Sequence, residues 1–151
     1  MPSEFVRKAS PEEKRVPAAL RRTVASRAKN LCEYCRCPEE FSPDSFTVEH
    51  IKPRQAGGET ISENLAWSCF GCNARKHTKI SHPDPETKQE IALFHPRQQL
   101  WSENFTWNDD FTKIIGKNPC GRATVEALQL NRVGVVNLRR LLTSAGLHPP
   151  Q

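Results

Sequence analysis

Three short clusters between Phe46 and Lys79 hold residue types that can do hydrolytic chemistry: Val48-Glu49-His50-Ile51, Glu63-Asn64-Leu65 and Cys69-x-x-Cys72-Asn73-x-x-x-His77. An imidazole with an unperturbed pKa of about 6.5 is mostly neutral at neutral pH and can take a proton from water. A carboxylate suits a hard divalent cation, which favours oxygen ligands. Glu49 and His50 supply these two groups at neighbouring positions. Strand alternation would send them to opposite faces, so their joint use predicts a bent backbone, with Pro53 close by. Asn73 and His77 are spaced i, i+4 and share one side of a helix. With Glu49 they make a candidate cage for a catalytic ion, Mg²⁺ or another divalent cation, with positions left for water and phosphate. Asn64 suits hydrogen bonding better than proton transfer, and is expected to pin the backbone around His50. Arg75 and Lys76 lie off the Asn73/His77 face and are expected to hold phosphates. Such a set permits phosphodiester hydrolysis: a water is deprotonated in line with the leaving oxygen while a cation stabilises the developing charge.

Those groups need a scaffold, and the cysteines predict one. Cys32-Glu33-Tyr34-Cys35 and Cys69-Phe70-Gly71-Cys72 are two knuckles whose four thiolates suffice for a closed tetrahedral structural Zn²⁺ site. Gly71 is expected to take a positive φ in the second turn. Cys37 reads as a spare thiol and Cys120 as a buried or free one. The segment between the knuckles is longer than the roughly 15–20 residues of a simple zinc ribbon, and it contains Glu49, His50 and Asn64. Phe46–Ile51 reads as a strand stopped by Pro53, and Gln55–Gly58 as a loop. Thr60-x-x-Glu63 resembles a capping box, Leu65-Ala66-Trp67 a second strand, and Asn73–Ile80 a helix. Upstream, Leu20, Val24 and Ala28 form one apolar helical stripe, with Pro17 suited to the first turn and Asn30 to a left-handed end. Arg21 and Arg22 sit on the outer face of that helix and are candidate DNA contacts.

Residues 87–93 suggest a turn or two of helix, and 104–107 a hairpin turning at Asn108-Asp109-Asp110. Trp101, Phe105 and Trp107 read as core, with base stacking the other use for such rings. From Arg122 the apolar spacing predicts helix, broken near Asn131 and Gly134 with Asn131 as a cap, and the tail from Gly146 is expected to fray. The organisation expected is a flexible basic arm over 1–16, a nuclease core with zinc knuckles over 17–82, and a packed C-terminal extension over 83–151. The fold class is α+β.

The chain has 151 residues and a net charge of +5. The first thirty residues carry eight Lys/Arg against three Glu, whereas the rest is balanced at fourteen of each sign. A basic arm suits a polyanion, nucleic acid first, or else a solvated face. Hydrophobic residues make up 36%, with 7 Gly and 12 Pro, so a modest core reinforced by metal is expected. The absence of a long apolar run or signal-like start predicts a cytoplasmic setting, where paired cysteines bind metal rather than each other.

Glu49-His50-Ile51, Glu63-Asn64-Leu65 and Cys69-x-x-Cys72-Asn73-x-x-Lys76-His77 together resemble the HNH endonuclease family with its ββα-metal motif. Arg27-Ala28-x-x-x-Cys32-x-Tyr34-Cys35 resembles the lead-in of members carrying a four-cysteine zinc site. Leu93-Phe94-His95-Pro96-Arg97 and Gly121-Arg122-Ala123-Thr124-Val125 resemble the tail of a bacterial subset. The resemblance implies His50 as general base, Glu49 as metal ligand, Asn64 as the loop-orienting residue, and Asn73 and His77 as sources of the remaining ligands. It implies hydrolysis of DNA, expected to be double-stranded, leaving 5′-phosphate and 3′-hydroxyl ends. A zinc-stabilised DNA-binding module that does not cut is the competing expectation.

Overall fold

A computed structural model describes residues 15–150. The basic arm expected over residues 1–16 therefore lies almost wholly outside the described residues. The described residues form a small mixed architecture of three two-stranded antiparallel sheets and five α-helices.

Helix α1 (Ala18–Arg27) follows Pro17 and buries Val24, with Leu20 partly covered and its C-cap Ala28 buried. Lys29 and Asn30 then both take φ 55°, ending the helix in the left-handed region that Asn tolerates. The chain enters the first knuckle, and β1 (Thr47–His50) pairs with β2 (Leu65–Ser68), placing His50 opposite Leu65 and Glu49 opposite Ala66. β2 is buried along its whole length.

Helix α2 spans Phe70–Lys76, earlier than the Asn73–Ile80 expected from the apolar pattern. The reason is a cap that propensity does not reveal. Cys69 Sγ accepts the Cys72 backbone N–H, so the second knuckle is itself the first turn. Gly71 consequently has helical backbone, and the expected positive φ is not found. Its missing Cβ serves another purpose, because a Cβ there would lie 2.6 Å from the Arg132 guanidinium.

β3 (Ser81–Pro83) and β4 (Glu90–Ala92) pair where helical turns were expected over 87–93. Asp84 decides this: its carboxylate accepts the Glu86 and Thr87 N–H groups and the Thr87 hydroxyl, which closes a turn between Pro83 and Glu90. Helix α3 (Trp101–Asn104) leads into β5 (Phe105–Trp107), which pairs with β6 (Ile114–Gly116) as the hairpin reading predicts. α4 (Pro119–Ala127) has Asn118 as a side-chain cap and Pro119 at its start. α5 (Val133–Ser144) lacks the Asn131 cap expected of it. Asn131 instead bonds the Ile114 N–H and C=O, standing in for a strand neighbour of β6. The tail is docked rather than frayed, with His148 buried edge-on against Trp107 and bonded to the Phe111 carbonyl.

One hydrophobic cluster joins the two halves. Val24, Tyr34, Phe46, Leu65 and Trp67 belong to it together with Phe94, Phe105, Leu128 and Leu130. Trp101 and Trp107 pack against it half-buried. No described helix is long and apolar enough to cross a membrane.

Candidate metal centre and hydrolytic site

The four knuckle cysteines come together. Cys32, Cys35, Cys69 and Cys72 are buried, unpaired in disulfides, and have ligand atoms within 4.8 Å of one another. Cys35 and Cys69 sulfurs are 3.7 Å apart, close to the roughly 3.8 Å edge of a tetrahedron with metal–sulfur bonds of about 2.3 Å. Burial pushes the Cys32 thiol well up, and contact with Cys35 and Cys69 adds to it. Four ionised sulfurs at this spacing therefore need a cation among them. Arg132 provides outer compensation, with guanidinium nitrogens 3.4 Å from Cys69 Sγ and 3.6 Å from Cys72 Sγ. Burial works against its charge, but the surrounding sulfurs hold its pKa above the ordinary arginine value. By geometry, chemistry and charge the cluster is placed to hold a metal ion. Among the described residues it is the one group of three or more His, Cys, Asp or Glu side chains so placed.

Beside it, β1 keeps its alternation. Glu49 is buried and His50 half-buried, so the neighbouring pair is split between the two faces of the strand. The bend that would have aimed both at one ion is not needed and is not made. Glu49 faces inward, where Oε1 meets Lys76 Nζ at 2.5 Å and Oε2 accepts the Tyr34 hydroxyl at 2.6 Å. Lys76 also donates to the Ile51 carbonyl at 2.8 Å. Burial raises the Glu49 pKa, while Lys76 and the Tyr34 hydroxyl pull it down.

This arrangement differs from the expected roles of both residues. Lys76 is 1% exposed and engaged with Glu49, so it is not available to a phosphate. The carboxylate of Glu49 is closed by two partners, so it does not fit an open ligand position as it stands. Asn73 is half-buried on α2, and its side chain makes no hydrogen bond with a described residue. His77 lies just past the helix with φ 48°, exposed. The structure joins neither of them to Glu49 or His50 by a hydrogen bond.

His50 faces outward into a cleft of about 610 Å³ shared with Arg15, Val16, Arg21, Thr47, Val48 and Arg54. Three guanidinium side chains and no carboxylate line it. His50 Nε2 is 2.9 Å from Thr60 Oγ1 and accepts the Arg54 Nε–H at 3.2 Å. Burial lowers the His50 pKa, and the positive charges of Arg54 and Lys76 lower it further. Both effects favour the neutral form of the ring. Thr60, read from sequence as part of a capping box, caps no helix.

Asn64 grips the loop that follows His50. Its Oδ1 accepts the Lys52 N–H, its Nδ2 donates to the Lys52 and Glu59 carbonyls, and its own carbonyl accepts the Ile51 N–H. The remaining arginines divide by use. Arg21 lines the cleft while donating to the Phe46 carbonyl and lying 4.8 Å from the Trp67 ring centre. Arg22 is exposed on α1. Arg75 is half-buried and donates to the Gly71 carbonyl. Tyr34, Arg54, Thr60 and Arg132 were not singled out for the site from the sequence. Their contacts cross elements, and no local spacing announces them.

Residues 32–79 match the family model described as HNH endonuclease. The matched span begins at the first knuckle, passes through His50 and Asn64, and ends just beyond α2. Comparisons with curated proteins and with solved structures find no match. The family match supports a nuclease or DNA-binding role.

Proposed function

We propose that the protein is a DNA endonuclease that hydrolyses phosphodiester bonds with His50 as general base, leaving 5′-phosphate and 3′-hydroxyl ends on double-stranded DNA. The carrying observation is a half-buried imidazole opening into a cleft walled by arginines, within a segment that matches a nuclease family. Arg15, Arg21 and Arg54 attract and position the phosphate. His50 receives the proton of the attacking water, and Asn64 holds the strand exit that carries the imidazole. The cysteine cluster is assigned Zn²⁺ because four buried thiolates select a soft-tolerant tetrahedral ion. The family match also supports a divalent ion, Mg²⁺ or similar, which would stabilise charge on the leaving oxygen. Asn73 and His77 are the candidate donors for it, and Glu49 joins them only if Lys76 lets go.

The test is plasmid nicking with Mg²⁺, Mn²⁺ or Ni²⁺ added in turn. His50→Ala is expected to abolish nicking while metal content and DNA binding persist. Undiminished cleavage by that variant overturns the assignment. Wild-type protein that binds DNA but never nicks would favour the non-cutting module instead.

A further inference from the structure

A second pocket lies at the other end of α1. It holds about 310 Å³ and is lined in part by Arg27, Lys29, Arg36, Trp101 and Trp107. That volume suits one nucleotide and is too small for a duplex. Its floor is a fixed aromatic platform. Trp101 Nε1 donates to the Tyr34 carbonyl at 3.0 Å, and Trp107 is held between Trp101 and His148.

Arg36 lies over this platform, its guanidinium carbon 5.1 Å from the Trp101 ring centre. It is half-buried at φ 65°, yet its side chain makes no hydrogen bond or ion pair with a described residue. Its neighbours behave otherwise. Arg27 donates to the Ser62 and Leu65 carbonyls, and the pocket's carboxylate, Glu33, is taken by Arg97 and the Trp67 N–H. A planar cation on an indole, with its donors open, is a stacking surface for a nucleobase, and Lys29 is placed for a phosphate.

We infer that this pocket binds a single unpaired nucleotide of a nucleic-acid strand, stacked on Arg36 and Trp101. The inference rests on the nuclease reading only in taking nucleic acid as the partner. Arg21 of the His50 cleft and Arg27 of this pocket are both on α1, with five residues between them. At 1.5 Å per residue the interval is about 9 Å, or roughly three nucleotides of a stacked strand. The protein then holds one base out of the stack roughly three nucleotides from the phosphate at His50.

The experiment titrates the full-length, metal-loaded protein with a single-stranded 12-mer without added divalent ion, following tryptophan fluorescence. An abasic position is moved along the oligonucleotide. Binding is expected to weaken about tenfold at only one or two positions. Arg36→Ala should lose a similar factor on the intact strand, and Arg36→Lys, which keeps charge but not the plane, should fall between. Lys29→Asn, which suits the left-handed backbone there, should reduce the salt slope by about one. It serves as the second probe if the Arg36 variants do not fold.

A flat abasic profile, or Arg36→Ala binding as tightly as wild type, overturns the inference. Saturation by dAMP with no gain from a strand would assign the pocket to free nucleotides and also overturn it. Inactive protein with a position-dependent profile would sink the nuclease reading and leave this pocket standing.

Discussion

The cysteine cluster and the His50 cleft lie on the same ββα unit, yet they are built on opposite principles. The cluster is closed: four buried sulfurs, a capping bond from the helix start, and an arginine laid across a glycine to balance charge. The cleft is open: a half-buried imidazole, a threonine and an arginine on one ring nitrogen, and guanidinium walls. Between them stands the Glu49–Lys76 pair, which shares the strand with His50 but behaves like the cluster. The cluster and the Glu49–Lys76 pair are saturated inside the fold, whereas the half-buried His50 ring opens on a cleft.

That contrast can be broken first at the closed side. Strong chelation, with metal loss measured by elemental analysis, is expected to unfold the domain. Structural zinc contributes apparent binding energy on the order of 10 kcal/mol to such sites. A circular dichroism spectrum unchanged after complete metal loss would refute a structural role. Next in size, Lys76→Met leaves the Glu49 carboxylate buried beside an apolar side chain. A loss of about 3–5 kcal/mol in denaturant midpoint experiments is expected, with much of it recovered in the Lys76→Met/Glu49→Gln double variant. Independent, additive losses would mean that the pair is not coupled.

On the open side the expected effects are kinetic. Asn64→Ala frees the loop after His50 and should lower kcat about 100-fold, with KM for DNA little changed, because a small misplacement of the base is enough. The smallest effect concerns pH. The His50 pKa lies below the ordinary value of about 6.5, through burial first and Arg54 and Lys76 after it. In the proposed mechanism neutral His50 is the active form, so the acid limb of kcat/KM should fall below pH 6.5. Arg54→Gln removes one repelling charge, raises the histidine pKa and moves that limb upward by less than about one unit. A limb that moves downward would contradict the contact.

Much of this was legible in the chain itself. The paired Cys-x-x-Cys spacing announced the metal cluster, and alternation plus Pro53 announced β1. Asn64 was read for its hydrogen bonding, and its bonds to Lys52 and Glu59 are of that kind. What failed was the partnering of charges. Lys76 looked free because helical spacing tells which residues share a side, not which side meets the sheet. Glu49 looked available because its neighbour was chemically interesting, although alternation alone sends the two to opposite faces. The start of α2 was missed because its cap is a cysteine sulfur, which no helix-start rule includes. β3 and β4 were missed because Asp84 makes its turn through side-chain bonds that resemble a helix start in sequence.

Arg132 gives the metal cluster a dependence that the matched span does not contain. A divalent ion among four thiolates leaves two negative charges, and the guanidinium that answers them arrives from sixty residues beyond Cys72. Trimming the chain to residues 32–79 would keep every ligand yet strand a dianion at the surface where that guanidinium lay. The second half of the molecule is, in this respect, the counterion of the first.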